Sequence, residues 1–363
     1  MKFSQTIRIG KHRVGPGYPT YIIAEIGSNF DGNLKRAKHL AKLCKEAGAD
    51  AFKIQNFTTP KLASSIGFKR LAAFEKKWGR PVVEVYKAAE FPHAWLKEIV
   101  GYCKKISIDF LSSTYDNEAV DLLERLGMPA HKLGGGEIDN LEFIDYVART
   151  GKPVIMSAGA ATMDEVEAAV NVVRKAGNKN LILLQCNTSY PSPIDDANLL
   201  AMAMFRDTFD VVVGYSDHTI GKEGGSDDPL GGLTVPLGAV ALGGSVIEKH
   251  VTDDRTRKGP DHPFALTMDE FATMVRGIRA MERARGDGTK HVMASEKNWR
   301  TTQRRGMYAV RTIAKGEKFT RDMIVLLRPA IGLRPPMIRA VLGKKVKRNI
   351  SAGHAIRAED VSR

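Results

Sequence analysis

Apolar positions along the first 284 residues fall into two alternating rhythms. Short β-branched or continuously apolar runs recur at Thr20–Ala24, Ala51–Gln55, Ile108–Ser113, Ala130–Leu133, Val154–Ser157, Leu181–Cys186, Val211–Val213 and Ser245–Ile247, and read as buried strands. Between and after them, Leu34–Ala47, His93–Lys105, Asn117–Leu126, Leu141–Arg149, Met163–Lys175, Leu199–Phe205, Thr234–Leu242 and Thr267–Ala284 read as helices. Eight strands, each followed by a helix, over about 270 residues have the order and size of a (β/α)8 TIM barrel. A doubly wound open sheet is the alternative, but it would carry fewer strands and a glycine-rich first turn of dinucleotide type, which the chain lacks.

Two stretches break the alternation. Residues 57–92 hold Pro60, Gly67, Gly79, Pro81 and Pro92 and read as an extended loop over the strand ends. Residues 285–303 are polar and aperiodic, which makes them a linker between a barrel domain, 1–284, and a small second domain, 304–363. That domain has β-like runs at Met307–Val310 and Ile324–Leu327, and KGEKFTRDM and SAGHAIRAEDV echo each other as turn-then-helix segments.

The polar residues collect where the strands end. Mapped onto a barrel, Glu25, Lys53, Gln55, Ser113, Thr114, Lys132, Ser157, Asn187, Tyr190, Ser216, His218, Glu248 and His250 surround one mouth, the end at which such barrels place their chemistry. Inward lysines in an apolar barrel need an anion. A single lysine is satisfied by a neighbour such as Glu25 or Glu137; Lys53 and Lys132 together, with Ser157, Ser216 and the amides of the GGG and AGA turns, form a cradle for phosphate or carboxylate. His218 and His250, at the ends of consecutive strands, suit a shared divalent ion such as Mn, Fe, Co, Ni or Zn, or else are hydrogen-bonded structural histidines. The other histidines, among them His12, His39, His93, His131, His262 and His354, read mostly as surface residues.

Composition narrows the function classes. With 43% hydrophobic and 26% charged residues the chain suits a globular protein, and no apolar run is long enough to span a membrane. The start, MKFSQTIRIGKHRVG, has no apolar core of a secretory signal, so a cytoplasmic location is expected. Cys44, Cys103 and Cys186 lack paired spacing and read as reduced thiols. The net charge of +14 is concentrated in residues 304–363, where 15 Lys and Arg face 4 Asp and Glu. That excess suits an anionic small molecule, an acidic membrane surface, nucleic acid, or simply a solvated basic face. Tyr18, Phe57 and Trp95 are too scattered for a base-stacking platform, and the glycine runs match no nucleotide fingerprint.

Several motifs then combine. IIAEIGSNFDGN, FKIQNF, FLSSTYD, PAHKLGGGEIDN, PVIMSAGA, LLQCNTSYPSP, GYSDHT, VIEKHVTDDRTRKGPDH and RRGMYAV…LLRPAIG resemble, in order and spacing, the sialic acid synthase (N-acetylneuraminate synthase) family with its C-terminal antifreeze-like (SAF) domain. The resemblance implies a TIM barrel followed by a small, mostly β SAF domain. It also implies condensation of phosphoenolpyruvate with an N-acetylmannosamine-type aldose to give a nine-carbon 2-keto sugar acid and phosphate. By the same resemblance His218 and His250 hold a divalent metal, usually Mn2+, with Mg2+ or Co2+ as alternatives. Lys53, Thr114, Lys132, Ser157 and Ser216 bind phosphoenolpyruvate; Glu25, Gln55, Tyr190 and Asp261 orient the sugar and the activated water; Glu248 supports the metal side; Asn187 adds to the substrate set. Arg328 is implied to reach from the terminal domain into the partner's barrel in a domain-swapped homodimer, leaving neither nucleic acid nor membrane as a partner.

The chain also departs from the family pattern. Gly135 replaces a phosphate-binding serine, Gln185 a histidine, Thr188 a common sugar-contacting asparagine, Ala265 a frequent serine and Ala330 a glycine, and the insert GKEGGSDDPLGG is long. These leave open a legionaminic or pseudaminic acid synthase, or a non-catalytic sugar- or anion-binding relative. Nucleic-acid binding through the basic tail is a third class, which would show as steep salt dependence.

Overall fold

The computed structural model describes residues 1–70, 79–220 and 228–362, and places a closed parallel barrel in the unit Met1–Gly286. The strands are β1 (Ile7–Ile9), β2 (His12–Val14), β3 (Tyr21–Glu25), β4 (Ala51–Asn56), β5 (Asp109–Thr114), β6 (His131–Leu133), β7 (Val154–Ser157), β8 (Leu181–Cys186), β9 (Val212–Asp217) and β10 (Val246–Thr252). From β3 to β10 each strand pairs in parallel with the next, and β10 also pairs with β3, which closes the ring of eight. A two-residue strand, β11 (Leu266–Thr267), extends the edge of β10. The (β/α)8 architecture expected from the alternation is the one observed.

Most crossover helices present one apolar stripe to the barrel and a polar face outward, as in Phe143, Ile144, Val147 and Ala148 of Leu141–Arg149, whereas Thr234–Ala241 is apolar nearly all round. Side chains fix the helix starts. Asn33 accepts from the Arg36 N–H, Asp116 from the Ala119 N–H, and Thr162 with Glu165 and Thr267 with Glu270 form reciprocal capping boxes. The antiparallel hairpin β1–β2 lies at the opposite end from the strand C-termini. Its Ile7, Ile9 and Val14 join the core, while His12 stands 3.7 Å from Asp50 and 3.8 Å from Asp109, and the Tyr21 hydroxyl donates to Asp109 at 2.9 Å.

The sequence reading misses in three places. The central strands run on to Asp217 and Thr252, because the polar SD and EKH residues stay paired within the ladder although they interrupt the apolar pattern. Within 57–92 the chain forms short helices at Thr59–Leu62, Ser65–Lys69 and Val82–Ala89; Pro60, Pro81 and Pro92 all stand at helix starts, where a missing N–H costs nothing. His131 and His262 are fully buried, His131 beside Glu124 and His262 between Thr252 and Asp31. Most of the GKEGGSDDPLGG insert lies outside the described residues.

The unit Asp287–Arg363 has its own small core of Met307, Ile313, Phe319, Ile324, Val346, Ile350 and Ile356. Its antiparallel strands are β12 (Gly306–Ala309) and β13 (Ile324–Leu327). The two echoing segments each end in a single 3-10 turn, Arg321–Met323 and Ala358–Asp360. Among the described residues no helix is long and apolar enough to cross a membrane.

Candidate active site

Residues paired across parallel strands point to the same side, so the register sorts the strand-end side chains into inward and outward sets. Glu25 is level with Lys53 on one side and His250 on the other, Gln55 with Ser113, Ser113 with Lys132, and Ser216 with Glu248. Alternation brings Ser157 onto the same inward face. Thr114 pairs with Asn56, one residue out of phase, and its buried hydroxyl has no hydrogen-bond partner among the described residues. The hydroxyl on the lysine's own face is that of Ser113, which accepts from Lys53 Nζ at 2.8 Å. Gln185 is also out of phase: its amide donates to the Ala197 carbonyl at 3.3 Å, so this departure lies outside the inward set.

Inside the mouth the charges interlock. Lys53 is ion-paired with Glu25 and lies 3.7 Å from Glu248, while Lys132 lies 3.4 Å from Glu248, which also accepts from the Ser216 hydroxyl at 3.1 Å. The lysines thus find Glu25 and Glu248 rather than Glu137. Burial pushes the Glu25 carboxyl up to about 7, against the pull of Lys53. Burial works against Glu248 as well, yet Lys132 and Lys53 outweigh it and hold its carboxyl low. Burial pulls the Lys132 ammonium down, whereas at Lys53 the two glutamates overcome burial and raise it. Two carboxylates in one site with ionisations pushed apart are what acid–base work at neutral pH requires. Ser157 Oγ and Glu248 Oε2 are buried there without hydrogen-bond partners among the described residues.

The rim above is aromatic. The His218 and His250 ring centroids lie 5.4 Å apart, with Tyr190 at 4.2 Å and 6.2 Å from them and Phe264 at 4.9 Å from His250. His218 Nδ1 donates to the Asn187 carbonyl at 2.6 Å, which turns Nε2 outward as a lone-pair donor. The Asn187 side chain instead accepts from the Ser189 N–H. Asp261 accepts from the Ser28 N–H at 2.7 Å and its hydroxyl at 2.8 Å, and burial raises its carboxyl. Gln55 is half-buried on the inward face, and Arg328 stands just after β13 in the terminal unit.

Burial pushes His218 down to about 4 and lowers His250 well below its ordinary value, so both rings are neutral at pH 7. Neutral imidazole is the ligand form, and buried His250 Nδ1 has no hydrogen-bond partner among the described residues. No group of three or more His, Cys, Asp or Glu gathers around a metal-sized space among the described residues. Two imidazoles fit an ion that takes its other ligands from substrate and solvent. The same depression has a thermodynamic consequence. Between the unfolded value near 6.5 and the folded value of about 4, the unfolded chain binds a proton that the folded ring refuses, so stability is lost as pH falls. His218→Gln is expected to flatten that loss in metal-free protein, read from urea midpoints at pH 7, 5.5 and 4.5. An unchanged slope would assign the titration to other groups.

Comparison with known proteins places this geometry. The NeuB family model matches residues 40–290, and the SAF domain model matches residues 304–362. The chain belongs to the NeuB family. An N,N'-diacetyllegionaminic acid synthase of Campylobacter jejuni is 37% identical over 343 residues, 93% of this chain and 99% of that protein. The N-acetylneuraminate-9-phosphate synthase of Homo sapiens is 33% identical over 92% of this chain and 90% of its own. Among solved structures, an N-acetylneuraminic acid (sialic acid) synthetase from Leptospira borgpetersenii in complex with citrate matches with a TM-score of 0.70 at 30% identity, over 82% of this chain and 96% of that one.

A β-carbon on Gly135 would stand 3.0 Å from the Thr188 methyl and 3.0 Å from Gly159 Cα, so the glycine and the threonine singled out in the sequence meet in space. Thr188 occupies room that a side chain at 135 would need. Gly135→Ser alone should therefore lower stability by about 1–3 kcal/mol through overpacking. Paired with Thr188→Ser it should recover the part of that loss due to the threonine methyl, while the contact with the Gly159 backbone stays, as a double-mutant cycle of denaturation midpoints would register; strict additivity would refute the Thr188 contact.

Sequence reasoning passed over three groups. Ser113 was seen at the mouth, but its phase with Lys53 needs the register. Ser28, which holds Asp261, lies in a turn without a pattern signal. Lys249 and Asp217 are fully buried on the outward face, where Lys249 Nζ meets Asp217 at 2.5 Å and the Thr219 carbonyl at 2.6 Å, tying down the chain on either side of His218.

Proposed function

We propose that the barrel mouth joins phosphoenolpyruvate to the aldehyde of an N-acetylmannosamine-type sugar, giving a nine-carbon 2-keto sugar acid and inorganic phosphate. The observation that carries this reading is the pairing, in one mouth, of a buried two-lysine cradle with two neutral histidines above it. Phosphoenolpyruvate brings about three negative charges, which only a site with fixed cations and hydroxyls accepts. Lys53, Lys132, Ser113, Ser157 and Ser216 supply them, with Thr114 beside the inward face. Glu25, ion-paired with Lys53 and with its carboxyl raised to about 7, is poised as a base near neutral pH.

His218 and His250 would hold a divalent ion, manganese first and magnesium or cobalt as alternatives; when bound it supplies Lewis-acid polarisation of the aldehyde oxygen. Carbon 3 of the enol attacks the aldehyde carbon, and electron deficiency develops at carbon 2. Water then adds to carbon 2, the carbon–oxygen bond to phosphate breaks, and the keto acid and phosphate leave. Glu25 takes the proton from that water, Glu248 holds the lysines and Ser216 in place, and Tyr190, Gln55, Asn187 and Asp261 line the acceptor's path. Arg328 completes the sugar site from the terminal unit of a swapped partner, in a cytoplasmic homodimer.

The named products of the relatives differ, so the acceptor has to be found by experiment. Phosphate release is measured with N-acetylmannosamine, its 6-deoxy-diacetamido analogues and plain mannose, with manganese and after chelation. Release that needs both sugar and metal supports the synthase. Tight binding of phosphoenolpyruvate and metal with no release by any sugar would replace it with the binding-only reading.

A further inference from the structure

The hydroxyl protons of the mouth are partly committed. The Ser216 hydroxyl donates to Glu248 at 3.1 Å, and Ser113 Oγ is occupied on one side by Lys53 Nζ at 2.8 Å. Gly135, in the turn after β6, has no side chain to offer, and none fits: a β-carbon there would lie 3.0 Å from Gly159 Cα, 3.1 Å from Gly159 N and 3.0 Å from the Thr188 methyl. Of the inward serines, Ser157 keeps a buried hydroxyl with no partner among the described residues. An anion with several oxygens needs more donors than that.

Tyr115 stands directly after β5, two residues beyond Ser113, so alternation turns it toward the mouth as well. Phe57 holds the matching place after Gln55 on β4, and the two rings meet edge to face with centroids 5.7 Å apart. A β-carbon on Gly134 would stand 3.9 Å from the Tyr115 hydroxyl oxygen and 4.0 Å from its Cε1. The phenol thus overhangs the first glycine of the turn that follows Lys132 and Leu133. An edge of its ring also lines an outer groove with Lys61 and Phe143, so the side chain forms the partition between groove and mouth.

The Ser113 hydroxyl lies beside the phenol as its hydrogen-bonding neighbour, whereas Glu25 and Glu137 act on it through their charge alone. Because Lys53 donates to Ser113 Oγ, the Ser113 proton is turned to the phenol oxygen. The phenol's own proton is left over. Burial foremost, then the two carboxylates, keep it bound to the oxygen, which makes Tyr115 a donor at every working pH.

We infer that the Tyr115 hydroxyl is a ligand of phosphoenolpyruvate, donating to a phosphate oxygen that lies against the Gly134–Gly136 turn. This rests on the synthase reading for the identity of the anion. Lys53, Ser113 and Tyr115 form one chain of donors that ends at the phosphate, and Lys132 supplies the fixed charge beside it. The hydroxyl comes from across the turn because position 135 has no room for one.

Tyr115→Phe keeps the ring against Phe57 and removes the hydroxyl alone. Calorimetric titration of the full chain should show phosphoenolpyruvate bound about ten- to a hundredfold more weakly by this variant, the share of one hydrogen bond to a charged group, with an unchanged melting temperature. At saturating phosphoenolpyruvate the 31P resonance of the bound phosphate should differ between the two proteins. Equal affinities would overturn the inference, and so would a lower melting temperature with affinity intact, which makes the hydroxyl structural. Weaker binding with an unmoved 31P resonance would overturn it too, since the hydroxyl would then serve the carboxylate. Wild-type protein that binds no phosphoenolpyruvate would overturn this inference and the synthase reading together. Binding that depends on Tyr115, with no phosphate release by any sugar, would support the inference and overturn the synthase reading alone.

Discussion

Alanine at both His218 and His250 is expected to lower aldose-dependent phosphate release by about a thousandfold or more, a loss of roughly 4 kcal/mol of transition-state stabilisation. The two rings stand side by side at the rim, and both are neutral because burial penalises their charged forms. The Asn187 carbonyl fixes the tautomer of His218, and Tyr190 packs against its face. Removing them takes away the lone pairs that face the acceptor without touching the lysine cradle, so phosphoenolpyruvate should still bind while bound manganese, measured by equilibrium dialysis, disappears. The single variants should each lose most of the activity, since one imidazole cannot replace two. Retained turnover in the double variant, in protein shown folded by its melting curve, would remove the histidines from the chemistry.

The second large effect belongs to Lys53. Lys53→Met leaves Glu25 without its ion-pair partner and Glu248 with Lys132 alone, inside a barrel where all four side chains are almost fully buried. Breaking a buried pair from one side costs about 3–5 kcal/mol while the remaining group stays charged, so the loss should be fullest well above pH 7, where Glu25 no longer escapes it by taking a proton. Denaturation midpoints should show that loss, and phosphoenolpyruvate affinity should collapse with it. Adding Glu25→Gln removes the stranded carboxylate, so the double variant should regain much of the stability but none of the affinity. A double variant that regains both would make Lys53 a structural counter-ion only.

The architecture was legible because eight apolar runs and the helices between them are periodic, and a closed parallel barrel is how such a chain buries both faces of every strand. Its finer features were not. The ends of β9 and β10 were cut short since apolar pattern detects burial, whereas Ser216, Asp217, Glu248 and His250 are held by ladder pairing among polar neighbours. Lys53 and Gln55 were placed on one face by their spacing. The choice of Ser113 over Thr114 as their neighbour depends on register between two strands, which one strand's sequence does not contain. His262 looked like a loop residue, yet it is buried because Asp31 and Thr252 fold over it from distant segments.

The central claim, that this mouth joins phosphoenolpyruvate to an aldose, is tested most directly by following oxygen. Phosphoenolpyruvate labelled with 18O in its carbon–oxygen–phosphorus bridge is turned over with the preferred sugar, and both products are weighed by mass spectrometry. The account predicts label in the phosphate and an unlabelled keto acid three carbons longer than the sugar. Phosphate without label, or labelled phosphate released in the absence of any sugar and with no lengthened product, would contradict it.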